Sequence, residues 1–172
     1  KVVKASILDV DADIIVMSAN PSLLAGSGVP GVIHKAAGRE LEEYVKPFAP
    51  LDIGQAIISP AFKLAAKYVV HTVCPRFYDG LRGEAEQLRA AYSNALAVSA
   101  EVSSARSIAF VAMGTGVYKW PTDLAASIAA EELSRSPFNK TLICVVDNRI
   151  MQAFETADLR RAKLETAKPD FQ

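Results

Sequence analysis

The feature that most constrains this chain is an alternation of short, unbroken apolar runs with longer stretches of helical spacing. Ile14-Ile15-Val16, Tyr68-Val69-Val70 and Leu142-Ile143-Cys144-Val145-Val146 carry no alternating polar residues. Strands of that kind have both faces covered, so helices must pack on each side of the sheet. The pattern predicts strands at residues 2–7, 13–17, 55–59, 68–72, 107–111 and 141–146, and helices at 31–45, 84–102, 122–133 and 149–165. The sheet-facing stripe is clearest in the second helix, where Leu88, Ala91, Tyr92, Ala95, Leu96, Ser99 and Val102 recur at three-and-four spacing. Gly38 is placed to divide the first helix. The residues from Arg160 to Lys168 read as a solvated helix face and tail. Such alternation excludes a bundle or a β sandwich and specifies an α/β fold.

A chain of 172 residues, 51% of them hydrophobic, suits one domain spanning 1–172. Lysine and arginine number 19 against 19 acidic residues, so no basic field announces nucleic acid, and DNA is not an expected partner. Any anionic ligand must be held locally. The two cysteines, Cys74 and Cys144, sit in apolar surroundings and make no disulfide framework, which favours a reduced, cytoplasmic setting. No apolar run approaches the roughly 20 residues of a membrane span, and the opening Lys1-Val2-Val3-Lys4 lacks a signal-peptide pattern. A monomer with no membrane association is expected. His34, His71, Cys74 and Cys144 are scattered without ligand spacing, so neither a metal site nor a cofactor is expected.

In an open α/β sheet, ligands gather beyond the carboxyl ends of the strands. Two of the loops there are unusual. Ser18-Ala19-Asn20-Pro21-Ser22-Leu23-Leu24-Ala25-Gly26-Ser27-Gly28-Val29-Pro30-Gly31 runs from a strand into a helix, as does Ala112-Met113-Gly114-Thr115-Gly116-Val117-Tyr118. Glycine lets backbone approach a ligand closely and adopt positive φ, so successive N–H groups converge on one anion. The helix beginning near Gly31 adds its own orphan donors and the positive end of its dipole. A phosphate or diphosphate clamped from both sides is the natural guest.

These residues resemble the macro domain family. Val16-Met17-Ser18-Ala19-Asn20 with Leu23-Leu24-Ala25-Gly26-Ser27-Gly28-Val29 is similar to that family's first ligand loop. Lys67-Tyr68-Val69-Val70-His71-Thr72-Val73-Cys74-Pro75 resembles its Lys-x-x-x-His-Thr-Val-Gly-Pro strand, and residues 108–118 followed by Pro121 resemble its second phosphate loop. The matches come in the family's order and cover nearly the whole chain. The resemblance implies a three-layer α/β/α sandwich around a mixed, mostly parallel six-stranded sheet, with a cleft for ADP-ribose or an ADP-ribosylated protein. It places Gly26, Ser27, Gly28 and Val29 on one side of the diphosphate and Gly114, Thr115, Gly116, Val117 and Tyr118 on the other. Tyr118 also borders the distal ribose. Asn20 matches the asparagine that bonds that ribose and is the candidate catalytic residue. Ser6, Ile7, Ala19, Val146 and Asp147 complete the implied ligand contacts.

Departures from the family pattern bear on activity more than on fold. The aspartate that reads adenine falls at Ser6, whose hydroxyl makes a weaker contact than a carboxylate. Asp9, Asp11 and Asp13 lie close in sequence, and a small shift in register would bring one of them into use. The aromatic residue that stacks on adenine corresponds to Val146, while Asp147 is kept. Met17 replaces the first asparagine of the Asn-Ala-Ala-Asn signature. Family hydrolases acting on acidic side chains usually carry an aspartate where this chain has Pro30, which cannot deprotonate or orient water. Some relatives lacking that aspartate still hydrolyse mono-ADP-ribose, so three readings remain open: binding ADP-ribose or a closely related nucleotide, hydrolysing an ADP-ribosyl or O-acetyl-ADP-ribose ester with Asn20 and a phosphate-held water, or, given Ser6 and Val146, a pocket turned to another phosphorylated ligand. The adjacent glutamates of poly(ADP-ribose) hydrolases are missing from the loop, because Glu42-Glu43 lies within a predicted helix.

The remaining chemistry-bearing residues read as structural. His71 is expected to be a buried strand histidine. His34 lies one turn past the first loop and is a candidate for ligand contact. Cys74 has only Arg76 as a cationic neighbour to activate it. Trp120 is expected to lie as a lid over the helix that follows the second loop.

Overall fold

The structure, a computed structural model, describes residues 1–167. Six strands form one sheet: β1 (Val2–Lys4), β2 (Ile14–Ser18), β3 (Ala56–Pro60), β4 (Tyr68–Thr72), β5 (Ser107–Val111) and β6 (Lys140–Val145). Their order is β1-β6-β5-β2-β4-β3, parallel throughout except for β3, which runs antiparallel to β4. Pro60 is tolerated because β3 is an edge strand, where a missing N–H breaks no internal ladder.

Five helices cover the sheet: α1 (Val29–Ala37), α2 (Arg39–Val45), α3 (Glu84–Ala100), α4 (Thr122–Leu133) and α5 (Asn148–Thr166). Successive strand residues point to opposite faces, and the two cores divide along that alternation. Ile14, Val16, Val70, Ile108, Phe110, Ile143 and Val145 pack with Leu88, Tyr92, Ala125, Ala129 and Phe154, so α3, α4 and α5 lie on one side. Ile15, Met17, Val69, Ala109, Leu142 and Cys144 pack with Ile33, Ala37, Leu41 and Val45, so α1 and α2 lie on the other. This is the three-layer α/β/α arrangement.

Most element boundaries fall within a residue or two of those predicted. β1 stops at Lys4 rather than at residue 7. Its last ladder bond runs from Ala5 N–H to the Val145 carbonyl, and Ser6 then turns the chain away, accepting Leu8 N–H on its hydroxyl and Asp9 N–H on its carbonyl. The first predicted helix divides in two at Gly38, where φ is +94°. It also starts earlier than expected, because Pro30 occupies the first turn, where its missing N–H costs nothing. Val102 lies beyond the end of α3. The charged run from Arg160 lies on α5, and Lys168 falls outside the described residues.

Candidate functional site

The strand order decides what meets at the carboxyl edge of the sheet. β2 and β5 are parallel neighbours with Val16 opposite Phe110, so the two glycine loops leave the sheet side by side. β6 is next, with Val111 opposite Cys144, and it delivers Val146 and Asp147 to the same edge. β1 follows, with Lys4 opposite Val145, and delivers Ser6. Ser6, Val146, the second loop and the first loop are thus laid out across four adjacent strands, about 14 Å at the usual inter-strand spacing. That span suits an extended nucleotide rather than a lone phosphate.

In the first loop, Gly28 caps α1 with φ +71° and ψ −147°, a conformation essentially confined to glycine, and no side chain caps the helix. A Cβ on Gly26 would stand 2.6 Å from Asn20 Nδ2, and one on Gly31 would stand 2.5 Å from the Gly26 carbonyl oxygen. Glycine at those positions is what lets the loop fold tightly against the half-buried Asn20. The Asn20 amide donates to the Leu24 carbonyl at 3.4 Å, and its backbone carbonyl accepts Leu23 N–H. Buried Leu23 is held at φ +59° to make that turn.

The second loop is braced from below. Gly114 has φ +84°, and a Cβ there would lie 2.5 Å from Trp120 Cδ1. Trp120 is accordingly a buried floor beneath the loop and not the expected lid over the helix start. Its Nε1 donates to the Pro75 carbonyl at 2.8 Å, and its ring lies 5.1 Å from that of Phe77. The hydroxyl of Tyr92, on α3, accepts Met113 N–H at 3.2 Å. Gly116 is exposed, and a Cβ there would meet nothing within 4 Å.

Both loops leave main-chain donors free. Among the described residues, the N–H groups of Gly26, Ser27, Gly28 and Val29, and those of Gly114, Gly116, Val117 and Tyr118, donate to no protein acceptor. Gly114 is buried, whereas Gly26 to Val29, at the N-terminus of α1, and Gly116 and Val117 are exposed, and exposed main-chain donors of this kind favour an anion. Thr115 contributes less, since its N–H and its hydroxyl both bond back to the Ala112 carbonyl.

Other expected residues take narrower roles. The Ile7 and Ala19 side chains are buried in the core, which leaves only their backbone to face a cleft, and Ala19 N–H is already given to the Thr72 carbonyl at 2.7 Å. Val146 is 72% exposed at the edge. Asp147 caps α5, with Oδ1 accepting the N–H groups of Arg149 and Ile150 at 2.8 and 3.1 Å. Asp11 and Asp13 do not stand in for Ser6, because they lie at the opposite, amino edge. The Asp13 carboxylate accepts Arg106 N–H and Ser107 N–H and pairs with Lys67, and those contacts hold its pKa down, the Arg106 bond foremost. The Asp11 carbonyl accepts Lys140 Nζ.

His71 is fully buried, with Nε2 2.9 Å from Ser59 Oγ, and desolvation pushes its pKa down to about 3. His34 is buried beside it, ring centroids 6.1 Å apart, and its ring nitrogens have no partner; burial likewise lowers its pKa. His34 therefore faces the core rather than the cleft. Cys74 is buried, and desolvation raises its thiol to about 12, an inert state at neutral pH.

One organising group escaped the sequence reading. Glu84, the first residue of α3, is buried, and its carboxylate accepts four backbone N–H groups from the preceding loop. Tyr78, Asp79 and Gly80 donate to Oε2 at 2.8, 3.1 and 3.0 Å, and Arg82 donates to Oε1 at 2.7 Å. Those bonds, Tyr78 foremost, hold its pKa at about 2. The signal for it was an acid opening a helix directly after Gly83, three residues past the Asp79-Gly80 pair.

Comparison with known proteins places the chain in a family. A macro domain family model matches residues 16–129. A macro domain-containing protein of Ralstonia nicotianae is 40% identical over 167 residues, covering 97% of this chain and 92% of its own. An O-acetyl-ADP-ribose deacetylase of Salmonella typhimurium is 44% identical over 138 residues, covering 78% and 76%. The Oceanobacillus iheyensis macrodomain with ADP superposes at a TM-score of 0.85 and 29% identity, over 95% of this chain and 91% of that one.

Proposed function

Since the chain belongs to the macro domain family, we propose that it binds ADP-ribose, or a terminal ADP-ribosyl group on a protein, between its two glycine loops. The carrying observation is the pair of loops on adjacent parallel strands whose main-chain donors have no protein acceptor. In this reading the first loop and the amino end of α1 hold one side of the diphosphate, and Gly114 to Tyr118 hold the other. Asn20 bonds the distal ribose, its amide serving hydroxyls as donor and acceptor. The adenine lies toward Ser6 and Val146. Solved relatives support it, since an Oceanobacillus iheyensis macrodomain has been seen with ADP and a variant of it with ADPR.

A second reading is ester hydrolysis, favoured by the deacetylase-named relative at 44% identity. Residues 18–38 contain no acid, and Pro30 has no titratable group, so water activation falls to the ligand's own phosphate with Asn20 positioning the ribose. Calorimetric titration with ADP-ribose, ATP and AMP, followed by incubation with O-acetyl-ADP-ribose, separates the readings. A binder takes up ADP-ribose at micromolar affinity or better without turnover. A hydrolase turns over repeatedly, and Asn20→Ala lowers kcat by at least about tenfold, about 1.4 kcal/mol of transition-state stabilisation. Failure to bind ADP-ribose at millimolar concentration refutes both.

A further inference from the structure

The loop at 76–83 stands against the second glycine loop and is held with unusual firmness. Phe77 N–H donates to the Tyr118 carbonyl at 3.0 Å, Trp120 holds the Pro75 carbonyl, and the Glu84 carboxylate takes four backbone N–H groups. A rigid loop of this kind displays side chains in fixed positions. Tyr78 is 61% exposed and Leu81 is 87% exposed. Arg82 lies over the Tyr78 ring at 5.1 Å and pairs with Asp79. The Arg76 guanidinium lies 5.9 Å from the centroid of the Tyr118 ring, and among the described residues no carboxylate comes within ion-pairing distance of it. Lys119, next to Tyr118, is likewise exposed and unpaired among the described residues.

We propose that this loop, with Arg76 as its charged anchor, is the surface that recognises the polypeptide carrying the ADP-ribosyl group, and that it selects carriers with carboxylates beside the modified residue. The inference rests on the proposed function, because only if Tyr118 borders the distal ribose does the attached chain leave the cleft over Arg76. Charge complementarity gives the preference: two unpaired cations flank Tyr118, whereas the acids of the loop are committed, Asp79 to Arg82 and Glu84 to backbone. Tyr78 and Leu81 offer an apolar contact for the carrier on a loop already ordered, so little entropy is lost on docking. With the distal ribose at Tyr118, Arg76 lies behind that ring and meets the carrier rather than the nucleotide, so this residue discriminates among conjugates without setting the affinity for free ADP-ribose.

The test compares free ADP-ribose with two serine-ADP-ribosylated peptides, one flanked by Asp and Glu and one by Asn and Gln. Wild type is expected to bind the acidic conjugate about five- to tenfold more tightly than the neutral one, with the difference vanishing in 0.5 M NaCl. Arg76→Gln removes that preference and leaves free ADP-ribose within twofold, whereas Arg76→Lys retains part of it. Equal wild-type affinity for the two conjugates overturns the proposal. Equal weakening of all three ligands by Arg76→Gln also overturns it, since Arg76 would then only brace Tyr118. If wild type binds none of the three, the functional reading falls and this inference with it, a result distinct from lost discrimination among ligands that bind.

Discussion

The two glycines of the second loop make opposite predictions, and the contrast tests where the diphosphate lies. Gly114 has φ +84°, and its absent Cβ would lie 2.5 and 2.8 Å from Trp120 Cδ1 and Cγ. Gly114→Ala therefore costs about 1–2 kcal/mol for a left-handed backbone. Displacing Trp120 adds roughly 1–3 kcal/mol of overpacking and about 1 kcal/mol from its strained bond to Pro75. Roughly 3–6 kcal/mol is a large share of a typical domain's stability, so this variant is expected to melt far below wild type or fail to fold. Gly116 has neither a left-handed φ nor any atom within 4 Å of its Cβ position. Gly116→Val should change stability by less than about 0.5 kcal/mol, with a slight gain possible from a stiffer unfolded chain. Its branched side chain nevertheless fills space next to free N–H donors, so ADP-ribose affinity should fall at least about tenfold, about 1.4 kcal/mol. Thermal melts read the first quantity and calorimetric titration the second. A Gly116→Val protein that melts like wild type and keeps ADP-ribose affinity within twofold would refute the placement of the diphosphate at this loop. Gly28 is not an equivalent probe, because its φ of +71° strains the backbone under any β-branched residue and confounds binding with folding.

Ser6→Asp should tighten ADP-ribose binding by about fivefold while leaving ribose phosphate unchanged, since a carboxylate bonds an adenine amino group about 1 kcal/mol better than a hydroxyl does; equal gains for both ligands would show that Ser6 does not face the base. Acid should destabilise the fold through His71, whose pKa is about 3 when folded against about 6.5 when unfolded. The unfolded chain takes up the proton first, so this contribution is complete above about pH 6.5 and is lost as pH falls from there toward 3, on the order of 2 kcal/mol by pH 5. His34, also depressed, acts in the same direction. Urea midpoints at pH 7.5 and 5.0 measure the change, and an unchanged or rising midpoint at pH 5.0 would contradict it.

What was legible in the sequence follows from which interactions are local. Unbroken apolar runs such as Tyr68-Val69-Val70 report burial on both faces directly, and β4 and β5 begin and end where predicted. Gly38 divides the first helix because its conformational freedom is a property of one residue. The layout of the candidate site was less accessible, because it depends on strand order. Asp13 is nearer in sequence to Asn20 than Ser6 is, yet β2 starts at the amino edge and commits the Asp13 carboxylate to Arg106 and Ser107, some 93 and 94 residues away. Ser6 reaches the candidate site only because β1 pairs with β6 at the far side of the sheet.

Trp120 and Glu84 show the same limit in a different form. Each lies beside a loop in sequence, and nothing local marks either as buried. Their partners explain their burial: Trp120 fills the space that Gly114 leaves and bonds the Pro75 carbonyl, while Glu84 satisfies four N–H groups of the loop that follows Pro75. A buried carboxylate is tolerable only when its oxygens are saturated in this way, and the saturation in turn fixes the loop. The second glycine loop and the 76–83 loop are therefore one mechanical unit, joined through Pro75, Phe77 and Tyr118. Loosening Glu84 should then be felt at Tyr118, at the place where the wall of the proposed nucleotide cleft becomes the surface offered to whatever the nucleotide is attached to.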